Sequence, residues 1–141
     1  MADPHDLARY VNAQDAGGTY ARALAELRAG RKQSHWMWFV FPQIAGLGFS
    51  PMAQRYAITS VHEARAYLAH PVLGPRLREC VAAMNGHAGR TAHEILGSPD
   101  DMKFRSCLTL FAEATPDNAD FKAALAKYYG GEGDPETLLR L

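Results

Sequence analysis

The sequence predicts an all-α fold, a compact single-domain array of roughly eight to ten short helices. Three observations lead there. Capping side chains stand directly before prolines at Asp3-Pro4, Ser50-Pro51, Ser98-Pro99 and Asp134-Pro135, where the missing proline N–H costs nothing at a first helical position. Apolar residues recur at three- and four-residue spacing rather than in alternation. And no segment outside one aromatic stretch has the period of a strand.

Each element follows from these signals. A short helix is expected near 4–14. Tyr20, Leu24 and Leu27 form an apolar stripe that Gly30 ends. Short helices are expected near 51–58 and 61–69, the second opened by Ser60 with Glu63 three residues on, the spacing of a capping box. Leu73, Leu77, Cys80, Val81 and Met84 form the next stripe and stop at Asn85-Gly86. Thr91 and Glu94 repeat the capping box for 92–96. Phe104, Cys107, Leu108 and Phe111 follow Ser98-Pro99 and run to the break at Thr115-Pro116. Phe121, Ala124, Leu125 and Tyr128 close at Gly130-Gly131, where glycine relieves a left-handed turn. A last helix is expected over 135–141. Short connections join all of them, with no internal repeat or long linker, so one domain over residues 1–141 is expected.

The segment Ser34–Gln43 holds both tryptophans of the chain and two of its six phenylalanines. Aromatic residues favour strands, but a lone strand among helices leaves its backbone groups without partners. A short buried helix from about Gln33, ending before Pro42, is the reading that fits. Its aromatics build core, and its polar edges, His35 and Gln43, are candidates to face a cleft as a base or an amide anchor.

Composition excludes several classes. The 141 residues are 48% hydrophobic, enough for a core without metal or disulfides. Fifteen basic residues balance fifteen acidic ones, so no net field draws the chain to nucleic acid or an anionic membrane. No stretch approaches the roughly 20 apolar residues of a bilayer span, and the polar N-terminus lacks a signal core. A cytoplasmic location is expected, with Cys80 and Cys107 as reduced core thiols. His93-Glu94 begins like a zinc-protease helix, but Gly97 stands where the second histidine is needed. His5, His62, His70 and His87 lack ligand spacing. No metal site and no cofactor are expected. Gly130-Gly131-Glu132-Gly133 lacks the lysine and hydroxyl of a P-loop, and no serine sits in a nucleophile elbow.

Two features remain as candidate chemistry. Asp100, Lys103 and Ser106 share a stripe of one helix, offering a cation and a hydroxyl to an anionic ligand. Gly46-Leu47-Gly48 feeds the helix start at Ser50-Pro51, where exposed backbone N–H groups attract anions.

Gly30 to Gln43, Gly46-Leu47-Gly48, Tyr56-Ala57-Ile58, Glu63-Ala64, His70 to Gly74, Leu96 to Phe111 and Asp134 to Leu141 together resemble the family called domain of unknown function 1810. The resemblance covers nearly the whole chain, and its tryptophan-rich block is highly specific. It implies an all-helical single domain without an established activity. Cys107 and Leu108 stand where the family often has other small or apolar residues. Some members are labelled calpastatin, but calpain-inhibitory segments are disordered, whereas this chain is apolar and densely capped.

The leading expectation is a small anionic ligand in a cleft between the aromatic helix, the glycine loop and the Lys103 helix, touching Gln43, Gly46, Gly48, Tyr56, Lys103 and Ser106. A hydrolase or transferase with His35 as general base is the alternative. A helical adaptor with an exposed aromatic groove is a third.

Overall fold

In a computed structural model that describes residues 3–141, the chain forms ten α-helices and one 3-10 turn, with no named strand among the described residues. The helices are α1 Ala8–Asp15, α2 Thr19–Ala29, α3 Met37–Val40, α4 Pro51–Arg55, α5 Val61–Ala69, α6 Leu73–Asn85, α7 Ala92–Leu96, α8 Asp100–Ala114, α9 Ala119–Tyr129 and α10 Pro135–Leu139, with the 3-10 turn at Ala16–Gly18 between α1 and α2.

Helix α8 is the axis of the molecule. Phe104, all of Ser106 to Phe111, and Ala114 are buried, because α5, α7, α9 and α10 all pack on it. A helix enclosed on most faces belongs at the centre. Helix α6 bridges α2, α5 and α9 through the buried stripe Leu73, Leu77, Cys80, Val81 and Met84. Aromatic rings fill the space between these layers, with Phe41 to Phe104 at 4.7 Å and Tyr67 to Phe111 at 5.3 Å between centroids.

The expected caps at Ser50, Thr91 and Asp134 hold, each oxygen accepting the N–H three residues on. Gly30 and Gly130 end α2 and α9 in left-handed conformations. Four boundaries differ from the sequence reading. The first helix begins at Ala8 rather than near Pro4, because the Asp3 carboxylate reaches over a turn to the N–H groups of Leu7 and Ala8. Ser98 does not cap α8, which starts from Pro99 without a side-chain cap. Ser60 caps α5, but Glu63 does not complete the box. Its carboxylate accepts instead from the Thr59 N–H and hydroxyl and pairs with Arg9 at 2.9 Å. The aromatic helix shrinks to one turn, Met37–Val40, after a bend at Ser34-His35.

That bend has an identifiable cause. Glu26, near the end of α2, accepts from the N–H groups of Gln33 and Ser34, the Ser34 hydroxyl and the Trp36 indole, at 2.6–3.0 Å. Backbone groups engaged by a carboxylate cannot enter a helical ladder. Past Pro42 the chain turns to a single parallel bridge between Ile44 and Ile58, with Ile58 N–H donating to Gln43 O and Ala45 N–H to Ile58 O. This bridge holds the glycine loop beside α8.

Candidate functional site

The site is built outward from Asp100 at the start of α8. Two lysines converge on its carboxylate, Lys32 at 2.9 Å and Lys103 at 3.7 Å. Each lies over a tryptophan, Lys32 over Trp36 at 5.1 Å from the ring centroid and Lys103 over Trp38 at 5.7 Å. One carboxylate facing two cations leaves a local excess of positive charge. The shorter bond goes to Lys32, whose side chain is 9% exposed, so Lys103, at 27%, keeps the residual charge nearer solvent.

Lys103 faces an open cleft of about 450 Å³. Its walls are the Gln43 to Ala53 loop on one side and α8 with the start of α10 on the other. Leu47, Phe49 and Met102 supply an apolar rim, with Phe49 81% exposed. Gln43 lies between the loop and the bridge. Its backbone carbonyl accepts from Ile58, and its carboxamide has no hydrogen-bond partner among the described residues. A smaller hollow opens beside the cleft and shares Gln43, Gly48 and Ala53 with it, adding Trp38, Gly46 and Tyr56.

The far wall depends on α8 gripping the segment before α10. Arg105 donates to the carbonyls of Glu132 and Gly133, and the Thr109 hydroxyl accepts the Asp134 N–H at 2.8 Å. This places Asp134 over α8. One of its carboxylate oxygens accepts from the Thr137 N–H and hydroxyl and from the Ser106 hydroxyl at 3.2 Å. The other oxygen takes no bond among the described residues, and Asp134 is part of the cleft lining. Glu136, also in the lining, pairs with Arg140 at 2.9 Å, and Arg140 lies across Gly46.

Six of the seven residues expected at a site from the sequence therefore border two neighbouring hollows, Gln43, Gly48, Lys103 and Ser106 the larger one and Gln43, Gly46, Gly48 and Tyr56 the smaller. His35 does not. It is exposed on the bend before α3 and lines neither hollow. The glycine loop also differs from its expected use as an anion cradle, because Pro51 has no N–H and the Ser50 hydroxyl oxygen takes the Ala53 N–H. The glycines serve close packing instead. Gly46 has φ +99°, and a Cβ there would come 2.8 Å from Arg140; a Cβ on Gly48 would come 2.7 Å from that of Ala53. Ser106 is 6% exposed, and its hydroxyl donates toward Met102 O and Asp134, so it joins α8 to α10.

Sequence reasoning missed Trp38, Met102, Asp134 and Glu136. Trp38 was assigned wholly to the core, yet it is half-buried beside Lys103 while Trp36 is fully enclosed. Asp134 was legible as a cap, but its second role depends on α8 packing against α10.

The remaining titratable groups do not add a second centre. Burial pushes the Cys80 thiol up to about 12, with Cys107 also raised by burial, so both are inert at neutral pH. Burial pulls the Glu26 carboxyl upward, but the bonds from Ser34, Gln33 and Trp36 outweigh it and take it down to about 2. Among the described residues no group of three or more His, Cys, Asp or Glu is placed to hold a metal ion. Among the same residues no helix is long and apolar enough to cross a membrane. A comparably large hollow between α8, α9 and α10 has Ala112, Leu125 and Leu138 in its wall, but its charged lining groups Glu113 and Lys122 are exposed side chains.

No curated protein matches the chain. Among solved structures, the chain is similar to the conserved hypothetical protein Rv1873 from Mycobacterium tuberculosis, with 57% identity over 99% of this chain and 98% of that one, and a TM-score of 0.96. The model of the family described as protein of unknown function (DUF1810) matches residues 4–141. The chain belongs to that family.

Proposed function

We propose that the groove beside Trp38 binds a small anionic molecule, with its acid group on Lys103. The observation that carries this reading is the unequal sharing of Asp100, which leaves Lys103 as a partly exposed, incompletely neutralised cation on a cleft wall. A cation already desolvated by an aromatic face gains more from an incoming anion than one free in water. Gln43 offers a free amide to orient the ligand, and Leu47, Phe49 and Met102 offer apolar contact. The cleft volume falls in the range of about 300–1,000 Å³ typical of metabolite sites.

The reading is one of binding rather than catalysis. His35 lies away from the groove, and the Ser106 hydroxyl is committed to Met102 and Asp134, so no nucleophile and base are paired there. An adaptor using both tryptophans loses support from the enclosure of Trp36. We retain the cytoplasm as the proposed location.

Thermal-shift titration with short carboxylates, inorganic phosphate and mononucleotides tests the proposal. At least one is expected to raise the Tm of the native protein, and Lys103→Met to abolish the shift while leaving the ligand-free Tm near its native value. A shift that survives Lys103→Met would sink it.

A further inference from the structure

The groove is not uniformly basic. Lys103, on α8, and the carboxylates of Asp134 and Glu136, at the start of α10, line it together, with Leu47, Phe49 and Met102 as its apolar members. The helix separates the cation from one of the carboxylates. Lys103 and Ser106 are three residues apart on α8, a rise of about 4.5 Å, and the Ser106 hydroxyl bonds to Asp134, so the lysine and that carboxylate are anchored about one helical turn apart. Asp134 and Glu136 each use one carboxylate oxygen for a partner, Thr137 with Ser106 in one case and Arg140 in the other. Each has an oxygen left without a bond among the described residues. A purely anionic molecule filling this cleft would place its body beside two carboxylates, and like charges at short range are unfavourable.

The geometry points to a zwitterionic ligand, an acid group on Lys103 and a protonated amine between Asp134 and Glu136, separated by a short apolar spacer that lies against Leu47, Phe49 and Met102. The inference rests on the proposal that Lys103 receives an acid group, and it names the class of molecule that does so. Amino acids whose amine is several bonds from the carboxyl meet the description. Opposite charges on Lys103 and on the two carboxylates also set the direction of binding, because the reversed molecule meets repulsion at both.

Calorimetric titration of the full chain with 4-aminobutanoate, 5-aminopentanoate and 6-aminohexanoate, each against the alkanoate and alkylamine of the same length, tests this. At least one amino acid is expected to bind about tenfold or more tighter than both of its singly charged counterparts. Lys103→Met is expected to remove binding of the amino acid and the alkanoate alike. Asp134→Asn keeps a capping oxygen for the Thr137 N–H, since asparagine caps as well as aspartate. In that variant, and in Glu136→Gln, the preference for the amino acid over the alkanoate is expected to fall while alkanoate binding holds or tightens. An alkanoate that binds the native protein as tightly as its amino acid, with both lost in Lys103→Met, would overturn the zwitterion assignment and leave the anion site standing. If no probe in any of the three classes binds, the zwitterion assignment falls, and if binding survives Lys103→Met, both readings fall.

Discussion

Trp36 with Lys32 and Trp38 with Lys103 are the same pair of residue types, facing the same carboxylate, in two environments. Trp36 is fully enclosed, its indole N–H fixed by Glu26 at 2.9 Å, and Lys32 above it makes the short bond to Asp100. Trp38 is half-buried, its indole has no hydrogen-bond partner among the described residues, and Lys103 makes the longer bond. One pair is a structural clamp that ties the aromatic segment to α2 and α8. The other is built from equivalent parts but left incomplete at a cleft. In the proposed reading, incomplete satisfaction of a partly desolvated charge is what separates a site from a core in this molecule.

The contrast is sharpest in stability. Trp36→Ala should cost about 3–5 kcal/mol, the usual loss for a fully buried large aromatic, whereas Trp38→Ala should cost about 1–2 kcal/mol because part of its surface is already in water. Urea unfolding of the two variants measures the gap, and equal losses would erase the distinction. Next in size is the effect of removing the shared counter-charge. Asp100→Asn leaves Lys32 without its partner in a nearly closed space and should cost about 2–3 kcal/mol. In double-mutant cycles with Lys32→Met and Lys103→Met, the coupling to Asp100 should be clearly larger for Lys32. Lys103→Met alone should change stability by about 0.5 kcal/mol or less, as a partly exposed pair does.

Glu26 gives the clamp a pH signature. Its folded carboxyl lies near 2 against an ordinary value of 4.5, so the stabilisation is complete above 4.5 and is lost as pH falls through 2. Allowing for solvent screening, Glu26→Gln should cost about 1–2 kcal/mol at neutral pH. The gap between variant and native protein should close between pH 5 and 2. A gap constant over that window would place the Glu26 contribution outside its charge. The smallest effect is optical. Acrylamide should quench the emission of the native protein partially, and Trp38→Phe should remove most of the quenchable part.

The fold was largely readable because its signals are local. Ser50, Thr91 and Asp134 act on backbone groups three residues away, and the stripes of α6, α8 and α9 report burial through spacing alone. Where the reading failed, a distant group intervened. The aromatic helix is one turn because Glu26, on another helix, holds the backbone ahead of it. Glu63 leaves its capping box because Arg9 and Thr59 compete for its carboxylate. The groove was partly legible, since Lys103 and Ser106 share a helix face and Gln43 follows the aromatic block. Nothing in the spacing of His35 distinguished a cleft edge from an exposed bend. Nor did the sequence separate Trp36 from Trp38, because that difference is set by tertiary packing: Glu26 on α2 holds the Trp36 indole, while Trp38 lines a hollow.

The two indole N–H resonances of the 15N-labelled protein offer the most direct test of whether the Trp38 pair, and not the Trp36 pair, is the open site. During titration with the tightest binder among 4-aminobutanoate, 5-aminopentanoate, 6-aminohexanoate and their alkanoates, the Trp38 signal should move progressively to saturation while the Trp36 signal, held by Glu26, stays in place. The movement should vanish in Lys103→Met. A titration that moves the Trp36 signal as far as that of Trp38, or that moves neither, would contradict the account.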